Sequence, residues 1–289
     1  SVASYNSDTP NKEIDSKLAV ITSFFNPNNY INLKYNYIKF SSSIKKQADL
    51  FPIELSFNDD FFIEDPNVIQ IKGDDCNILW QKERLLNVVI ENLPSHYDNV
   101  AWIDCDIIFH NRNWVDEVNN KLKKYKVLHL YEYVNRLNYK GETELTSESI
   151  VKNPNKGVPG FAWAMRRESL DKIKLLDKMI IGGADYIMYC SFINNLYKIN
   201  RIEINTQWYN SMLDWLNLAS LEIDNSISYI TGNITHLYHG KRTNRNYGYR
   251  YKILEHFNPD IELIKGLNEL WKFKNDKYIK EIKNYFSER

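Results

Sequence analysis

The chain has 289 residues, which is enough to bury a large core, and one decorated domain is a simpler expectation than two smaller ones. Lys plus Arg and Asp plus Glu both number 37, so the formal net charge is zero. A neutral chain creates no long-range field toward nucleic acid or acidic membranes. We therefore expect no nucleic-acid partner, and any anion-binding site must be local.

Cysteine usage and hydropathy indicate the cellular compartment that the chain is expected to occupy. Cys76, Cys105 and Cys190 are far apart and odd in number, so neither a zinc CxxC pattern nor a disulfide framework is indicated. No stretch approaches the roughly 20 apolar residues that span a bilayer, and the N-terminus has no apolar signal core. These features predict a soluble, cytoplasmic protein with no transmembrane segment, with flanking segments left open.

The first half of the chain alternates between strand and helix patterns. Residues 1–16 are polar and aperiodic and are expected to form a flexible leader. The following elements are predicted next: a buried strand over 18–22, a helix over about 30–47, strands over 52–57 and 68–71, a helix over 77–93 and a buried strand over 100–103. Repeated strand–helix units predict an open α/β sheet.

The second half carries weaker patterns. A helix is predicted over 114–125, a strand over 127–131 and a long polar loop over 135–158. Further elements are expected over 160–165, 167–176 and 180–197, with a His-rich strand end near 236–239 and one or two amphipathic helices over 259–286. We expect one main domain over 17–255, with a helical segment over 256–289 packed on it.

Two acids end the strand over 100–103. Alternate side chains of an extended segment share a face, so Asp104 and Asp106 are expected to project together at a carboxyl strand end, where open α/β sheets bind ligands. Carboxylates held this close repel unless a cation lies between them. Mg²⁺ and Mn²⁺ accept such oxygens and complete their shells with substrate phosphates. An Asp-x-Asp triplet alone is common, so a plain surface pair is the alternative.

The run VAWIDCDIIF over 100–109 resembles the strand and DxD motif of GT-A glycosyltransferases, and the order and spacing of about 18–250 resemble that family as well. The resemblance implies a Rossmann-like, open, mostly parallel sheet flanked by helices, with a helical C-terminal extension after the catalytic domain over 17–255. It implies that Asp104 and Asp106 hold Mn²⁺ or Mg²⁺ on the diphosphate of a nucleotide sugar, with UDP-sugars expected, and that Asp104 also touches the donor.

The same resemblance suggests further donor contacts. Thr22 and Phe24 lie where the first strand of the family meets base and ribose, although core packing is the alternative for each. Lys82 or Arg84 matches a helix that brings a basic residue to the donor, with a solvated helix face as the alternative. Gly160 belongs to a segment that lines the sugar and acceptor cleft, where glycine permits close approach. Within that segment Phe161 or Trp163 is a candidate for stacking on a sugar ring.

Two later motifs complete the resemblance. The Gly-Gly pair before Asp185 resembles the Gly-Gly-acid motif of inverting members, which implies that Asp185 is the catalytic base; a helix N-cap is the alternative. The segment THLYHGKR over 235–242 implies a metal-ligating His236 or His239, with Lys241 and Arg242 on phosphate oxygens. Residues 247–250 are expected in a loop over the donor.

The sequence therefore predicts a metal-dependent glycosyltransferase in glycan biosynthesis that transfers a sugar to a carbohydrate, protein or lipid-linked hydroxyl. A sugar-phosphate nucleotidyltransferase is the enzyme alternative. It would need a glycine-rich loop after the first strand, and residues 23–29 contain no glycine. An inactive sugar- or nucleotide-binding module is the non-enzyme alternative, because a fold does not fix a function.

Overall fold

The computed structural model describes residues 18–58, 60–240 and 250–287, and the expected leader over 1–16 lies outside them. The strands are β1 Leu18–Phe25, β2 Asp49–Ser56, β3 Ile69–Lys72, β4 Asn99–Ile103, β5 Ile107–Phe109, β6 Val127–His129, β7 Tyr133–Leu137, β8 Thr143–Glu148, β9 Ala162–Arg166, β10 Ile227–Tyr229, β11 Asn233–His236, β12 Leu263–Lys265 and β13 Trp271–Phe273. The α-helices are α1 Ile31–Ile44, α2 Lys82–Asn92, α3 Trp114–Lys121, α4 Arg167–Ile173, α5 Ala184–Phe192, α6 Thr206–Ile223, α7 Pro259–Glu262 and α8 Ile279–Ser287.

The central sheet has seven strands in the order β10-β6-β9-β4-β1-β2-β3. β1 lies between β2 and β4 and runs parallel to both, while β9 runs antiparallel to β4 and β6. Alternate residues of β1 enter two separate hydrophobic clusters: Ile21 packs with α2, α5 and α6, and Val20 packs with α1 and α3. The prediction of an α/β fold with a mostly parallel sheet between helices is confirmed.

A second sheet in the order β5-β11-β7-β8 starts at the carboxyl end of β4. β5 begins immediately after Asp106, and β11 ends at His236. The antiparallel register pairs Ile107 with His236. Backbone pairing therefore brings Asp106 next to the end of β11, although 130 residues separate Asp106 from His236.

The structure differs from the predicted elements in three regions. The loop expected over 135–158 contains the β7–β8 ribbon, whose residues are mostly half-buried or exposed and so lack an apolar alternation. Helix α6 was not predicted, although Trp208, Met212 and Leu216 bury one face at four-residue spacing. The C-terminal extension is not wholly helical, because the β12–β13 hairpin lies between α7 and α8. No helix in the described part of the chain is long and apolar enough to cross a membrane.

Candidate active site

The turn between β4 and β5 carries the two acids in different directions. The Asp104 backbone N–H donates to the Phe161 carbonyl at 2.9 Å, and the Asp106 carbonyl accepts from the Leu237 N–H at 3.0 Å. These bonds tie the turn to β9 on one side and to the end of β11 on the other. The Asp104 side chain then meets Lys82, whereas the Asp106 side chain meets two histidines.

Asp106, His236 and His239 form a compact cluster. One carboxylate oxygen, Asp106 Oδ2, lies 3.1 Å from His236 Nε2 and 3.3 Å from His239 Nε2, and the two Nε2 atoms are 3.2 Å apart. One ligand atom from each residue falls within 4.8 Å of the others. Two imidazoles and a carboxylate suit a divalent transition metal, whereas Mg²⁺ prefers an all-oxygen shell. The donor set fits a divalent ion.

Lys82 joins the other aspartate to Asp185. Its Nζ lies 2.7 Å from Asp104 Oδ1 and 3.4 Å from Asp185 Oδ2. Burial lowers the pKa of Lys82, but the adjacent Asp104 and Asp185 carboxylates outweigh it, so the pKa is raised and the lysine stays charged. Lys82 was expected to contact the donor. The structure places it on the cleft wall, where its side chain contacts Asp104 and Asp185.

Glu83, the next residue of α2, is 2 % exposed. Burial raises the pKa of Glu83 to about 8, against the lowering effect of Lys82, and Asp185 raises it further. A buried carboxyl of this kind holds its proton near neutral pH. Sequence reasoning did not single out Glu83, because an acid in the first turn of a helix is ordinarily a solvated residue.

Asp185 lies in the first turn of α5 behind two glycines in the left-handed region. Gly182 has φ +94° and Gly183 has φ +97°. A Cβ on Gly182 would lie 3.0 Å from Arg250 Nη1, and a Cβ on Gly183 would collide with Tyr251 Oη. Asp185 Oδ1 is buried and has no hydrogen-bond partner among the described residues. The N-cap of α5 is Gly183, so the alternative of an Asp185 N-cap is wrong.

Gly160 forms the wall opposite Asp185. A Cβ at this position would lie 3.7 Å from Asp185 Oδ2, so glycine leaves room beside that oxygen. The Gly160 carbonyl accepts from His129 Nε2 at 2.9 Å and from the Tyr131 hydroxyl at 3.0 Å. His129 is fully buried, and burial lowers its pKa to about 3, which keeps the ring neutral. Its Nδ1 therefore accepts from the Ser149 hydroxyl at 2.7 Å.

Phe161 holds a strained backbone beside the histidine pair. Its φ of +84° is rare for a bulky residue and marks a local energetic cost. The ring centroid lies 5.0 Å from that of His236, and the Arg136 guanidinium carbon lies 5.1 Å from the Phe161 centroid. Trp163, the other stacking candidate, is 1 % exposed and packs between Trp102 and His129, so it belongs to the core.

The metal-ligand cluster and Lys82 line one cleft with a volume of about 210 Å³. Its charged and imidazole side chains are Lys82, Asp104, Asp106, His236 and His239, and its apolar lining residues include Phe24, Phe25, Pro27, Tyr30, Leu33, Trp80 and Phe286. Phe25 meets Trp80 edge to face at 5.5 Å. A larger groove of about 800 Å³ lies at the opposite end of β4, where Arg166 and Arg167 donate to backbone carbonyls of the protein itself.

Two of the expected donor contacts are not on the cleft wall. Thr22 is fully buried, and its hydroxyl donates to the Ile103 carbonyl at 2.7 Å, so it joins β1 to β4. Arg84 Nη1 bonds to Asp177 Oδ2 at 3.0 Å. Residues two apart on a helix point to different sides, so Arg84 faces away when Lys82 faces the cleft.

The other residues expected at the donor are Phe24, which the structure describes, and Lys241 and Arg242, which it does not. Phe24 touches the cleft but is 3 % exposed, and its ring packs 5.5 Å from both Tyr37 and Phe62. Lys241 and Arg242 lie outside the described residues, as do Tyr247 and Tyr249. Two aromatic wall residues, Trp80 and Phe286, were assigned no role from sequence. Trp80 lies in the segment that was compared with the donor-binding helix, whereas Phe286 reaches the cleft from the far end of the chain.

No protein-family model matches the chain, and no curated protein matches it. Similar solved structures include the catalytic domain of Drosophila beta-1,4-galactosyltransferase 7 with xylobiose, at 14 % identity and a TM-score of 0.40, covering 90 % of this chain and 94 % of that one. A mutant of that enzyme with manganese, UDP-Gal and xylobiose matches at 13 % identity, with the same TM-score and coverage. A 4-diphosphocytidyl-2C-methyl-D-erythritol synthase from Anaerococcus prevotii DSM 20548 matches at 12 % identity and a TM-score of 0.35, covering 95 % and 98 %.

Proposed function

We propose that this chain is a metal-dependent glycosyltransferase that uses a nucleotide diphosphate sugar, with UDP-sugars as the first donors to test. The observation that carries the proposal is a cleft lined by two chemically different groups of side chains. One group is the Asp106, His236 and His239 cluster, and the other is the rings of Phe25, Trp80 and Phe286. A nucleotide sugar has a matching composition, because a diphosphate binds a divalent ion and a flat base packs on aromatic rings.

Asp106, His236 and His239 would hold the ion. When bound there, a divalent ion supplies Lewis-acid stabilisation of negative charge on the diphosphate. Asp104 lies outside that three-residue cluster and is held by Lys82 at 2.7 Å. We infer that Asp104 faces the donor rather than serving as the main metal ligand, with the Lys82 charge offsetting its own.

Asp185 is the proposed base. It would accept the proton of the acceptor hydroxyl while that oxygen forms a bond to the anomeric carbon, and the bond from that carbon to the diphosphate oxygen breaks. Attack from the side opposite the diphosphate inverts the anomeric centre. The placement supports this role, because Asp185 lies across from the glycine wall at Gly160 and is joined to the donor side through Lys82.

The two alternatives remain distinguishable by their chemistry. A nucleotidyltransferase would bind a triphosphate in a glycine-rich backbone cradle. Here the end of β1 and the loop after it line the cleft with Phe25, Asn26 and Pro27 instead. A binding module would keep the cleft but turn nothing over. The acceptor class, whether carbohydrate, protein or lipid-linked, and a cytoplasmic compartment stay predictions.

A screen of nucleotide sugars with Mn²⁺ tests the proposal. We expect one donor to be hydrolysed slowly in the absence of acceptor and to raise the melting temperature only when Mn²⁺ is present. Pyrophosphate release from a nucleoside triphosphate and a sugar 1-phosphate would instead assign the chain to the nucleotidyltransferases. Metal-dependent nucleotide binding with no turnover of any donor would identify a binding module.

A further inference from the structure

Helix α1 carries an apolar stripe that faces solvent. Ile31, Tyr35 and Ile38 follow the i, i+4, i+7 spacing of a single helix face and are 63 %, 58 % and 49 % exposed. Tyr30 at the start of the helix is 44 % exposed, and Phe61 in the loop after β2 is 39 % exposed. The opposite face of α1 is buried in the core, so this stripe is an additional apolar surface.

Lysines flank the stripe on both sides. At about 100° per residue, Lys34 falls roughly 60° to one side of Ile31 and Lys39 roughly 80° to the other, and Lys45 and Lys46 follow directly after the helix ends at Ile44. The segment 31–48 contains no acidic residue. A narrow apolar strip between two lysine rows is typical of a helix that lies in a membrane interface, because lysine stems extend past the apolar body and bring their charges to the headgroups.

The acids near this face are few. Asp65 forms an ion pair with Lys45 and so neutralises the positive charge of that lysine. Asp60 and Glu64 are exposed in the same loop. Lys34 lies 5.5 Å from the centroid of the Phe62 ring, so it also borders the loop. The local charge is therefore modestly positive on a chain whose net charge is zero, and the expected attraction to anionic lipid is weak and reversible.

We propose that this surface, defined by Ile31, Tyr35, Ile38 and Lys39 on α1 and by Lys46 just after the helix, docks on the headgroup region of an anionic lipid bilayer. The first turn of α1 also forms the rim of the cleft, because Tyr30 and Leu33 line it. Docking by this face holds the cleft mouth beside the lipid surface. If the proposed function holds, a lipid-linked acceptor would meet the enzyme there.

Co-sedimentation of the full chain with vesicles tests this proposal without donor, metal or turnover. The wild type should sediment with vesicles of phosphatidylcholine and phosphatidylglycerol, sediment less with phosphatidylcholine alone, and be released by added salt. Ile31→Ser with Ile38→Ser should reduce the partition coefficient by about tenfold per isoleucine. Lys39→Glu with Lys46→Glu should reduce it by at least about fivefold per lysine, on anionic vesicles only.

Leu221→Ser is the matched control, since Leu221 is 79 % exposed on α6, and it should bind vesicles like the wild type. Melting temperatures of all variants should stay close to the wild type, because the substituted side chains are exposed. Vesicle binding that survives the double isoleucine change would overturn the proposal, and so would a wild type that does not bind anionic vesicles. Self-association that is lost in the isoleucine variant, without lipid binding, would assign the face to a second copy of the chain instead.

Discussion

Two groups of residues that line the cleft, called here the metal end (Asp106, His236 and His239) and the aromatic end (Phe25, Trp80 and Phe286), are assembled in different ways. The metal end is set by backbone pairing: the register of β5 with β11 brings Asp106 beside His236, and His239 follows three residues later. The aromatic end is set by side-chain packing between distant segments, with Phe25 after the core of β1, Trp80 before α2 and Phe286 on α8. Losing one ligand should therefore abolish metal binding, whereas losing one ring should weaken nucleotide binding by a limited factor.

The largest expected effect comes from removing the shared carboxylate. Asp106→Ala should abolish Mn²⁺-dependent donor hydrolysis, by a hundredfold or more, because the two histidines alone lack the anionic ligand. Stabilisation by Mn²⁺, worth about 3 kcal/mol at 100 times the dissociation constant, should disappear with it. Asp116→Ala, which removes an exposed acid on α3, is the control. A normal Mn²⁺ shift in Asp106→Ala would remove the metal hypothesis, and retained uridine binding would confirm that the aromatic end is independent.

A pH experiment addresses His129, which donates to the carbonyl of Gly160 on the wall opposite Asp185. The pKa of His129 is lowered by burial to about 3, from about 6.5 in an unfolded chain, so the folded state binds fewer protons between these values. The stability that depends on a neutral His129 is fully present above about pH 6.5 and is lost as the pH falls toward 3, by up to roughly 5 kcal/mol. His129→Gln should be less stable at neutral pH and should lose less stability on acidification. Equal slopes in urea titrations at several pH values would show that His129 is not held neutral.

A smaller loss is expected at the turn that carries Asp185. Gly183→Ala introduces a Cβ at φ +97° that collides with Tyr251 Oη, and we expect about 2–3 kcal/mol of destabilisation in denaturant unfolding. Gly141→Ala is the matched control, because φ is +81° there but no atom lies within 4 Å of the added carbon. It should cost about 1 kcal/mol. If the two variants lose the same stability, the contact with Tyr251 is not what demands glycine.

The smallest expected effects lie at the aromatic end. Phe286→Ala and Trp80→Ala should each weaken uridine diphosphate binding by about tenfold, the loss of one aromatic contact with a base, and leave Mn²⁺ affinity in the absence of nucleotide unchanged. Calorimetric titrations with metal alone and with metal plus nucleotide separate the two readouts. Tyr197→Ala, at a side chain 82 % exposed, controls for the loss of an aromatic residue. Complete loss of metal binding in either wall variant would contradict the independence of the two ends.

Some of the candidate site residues could be predicted from local sequence patterns, and others could not. Asp104 and Asp106 were candidates because two acids directly follow an apolar strand, whereas His236 and His239 were candidates through the family resemblance. Thr22 and Arg84 were expected at the donor, but the structure shows them bonded to the protein itself, because a buried threonine and a helix-face arginine have the same local pattern in both cases. Phe286 could not be found, because an aromatic residue on an amphipathic helix predicts only that it packs somewhere.

The sequence by itself determined the strand–helix order of the central sheet, the position of the acidic turn at a strand end and the presence of late histidines, since these depend on local periodicity and residue chemistry. Only the tertiary structure decided that Asp106 pairs with both histidines while Asp104 pairs with Lys82, that Lys82 also reaches Asp185, and that α8 completes the cleft. The physical reason is that a ligand set and a cleft wall are made by contacts between segments far apart in the chain. Strand register and side-chain packing fix those contacts, and neither is encoded within any single segment.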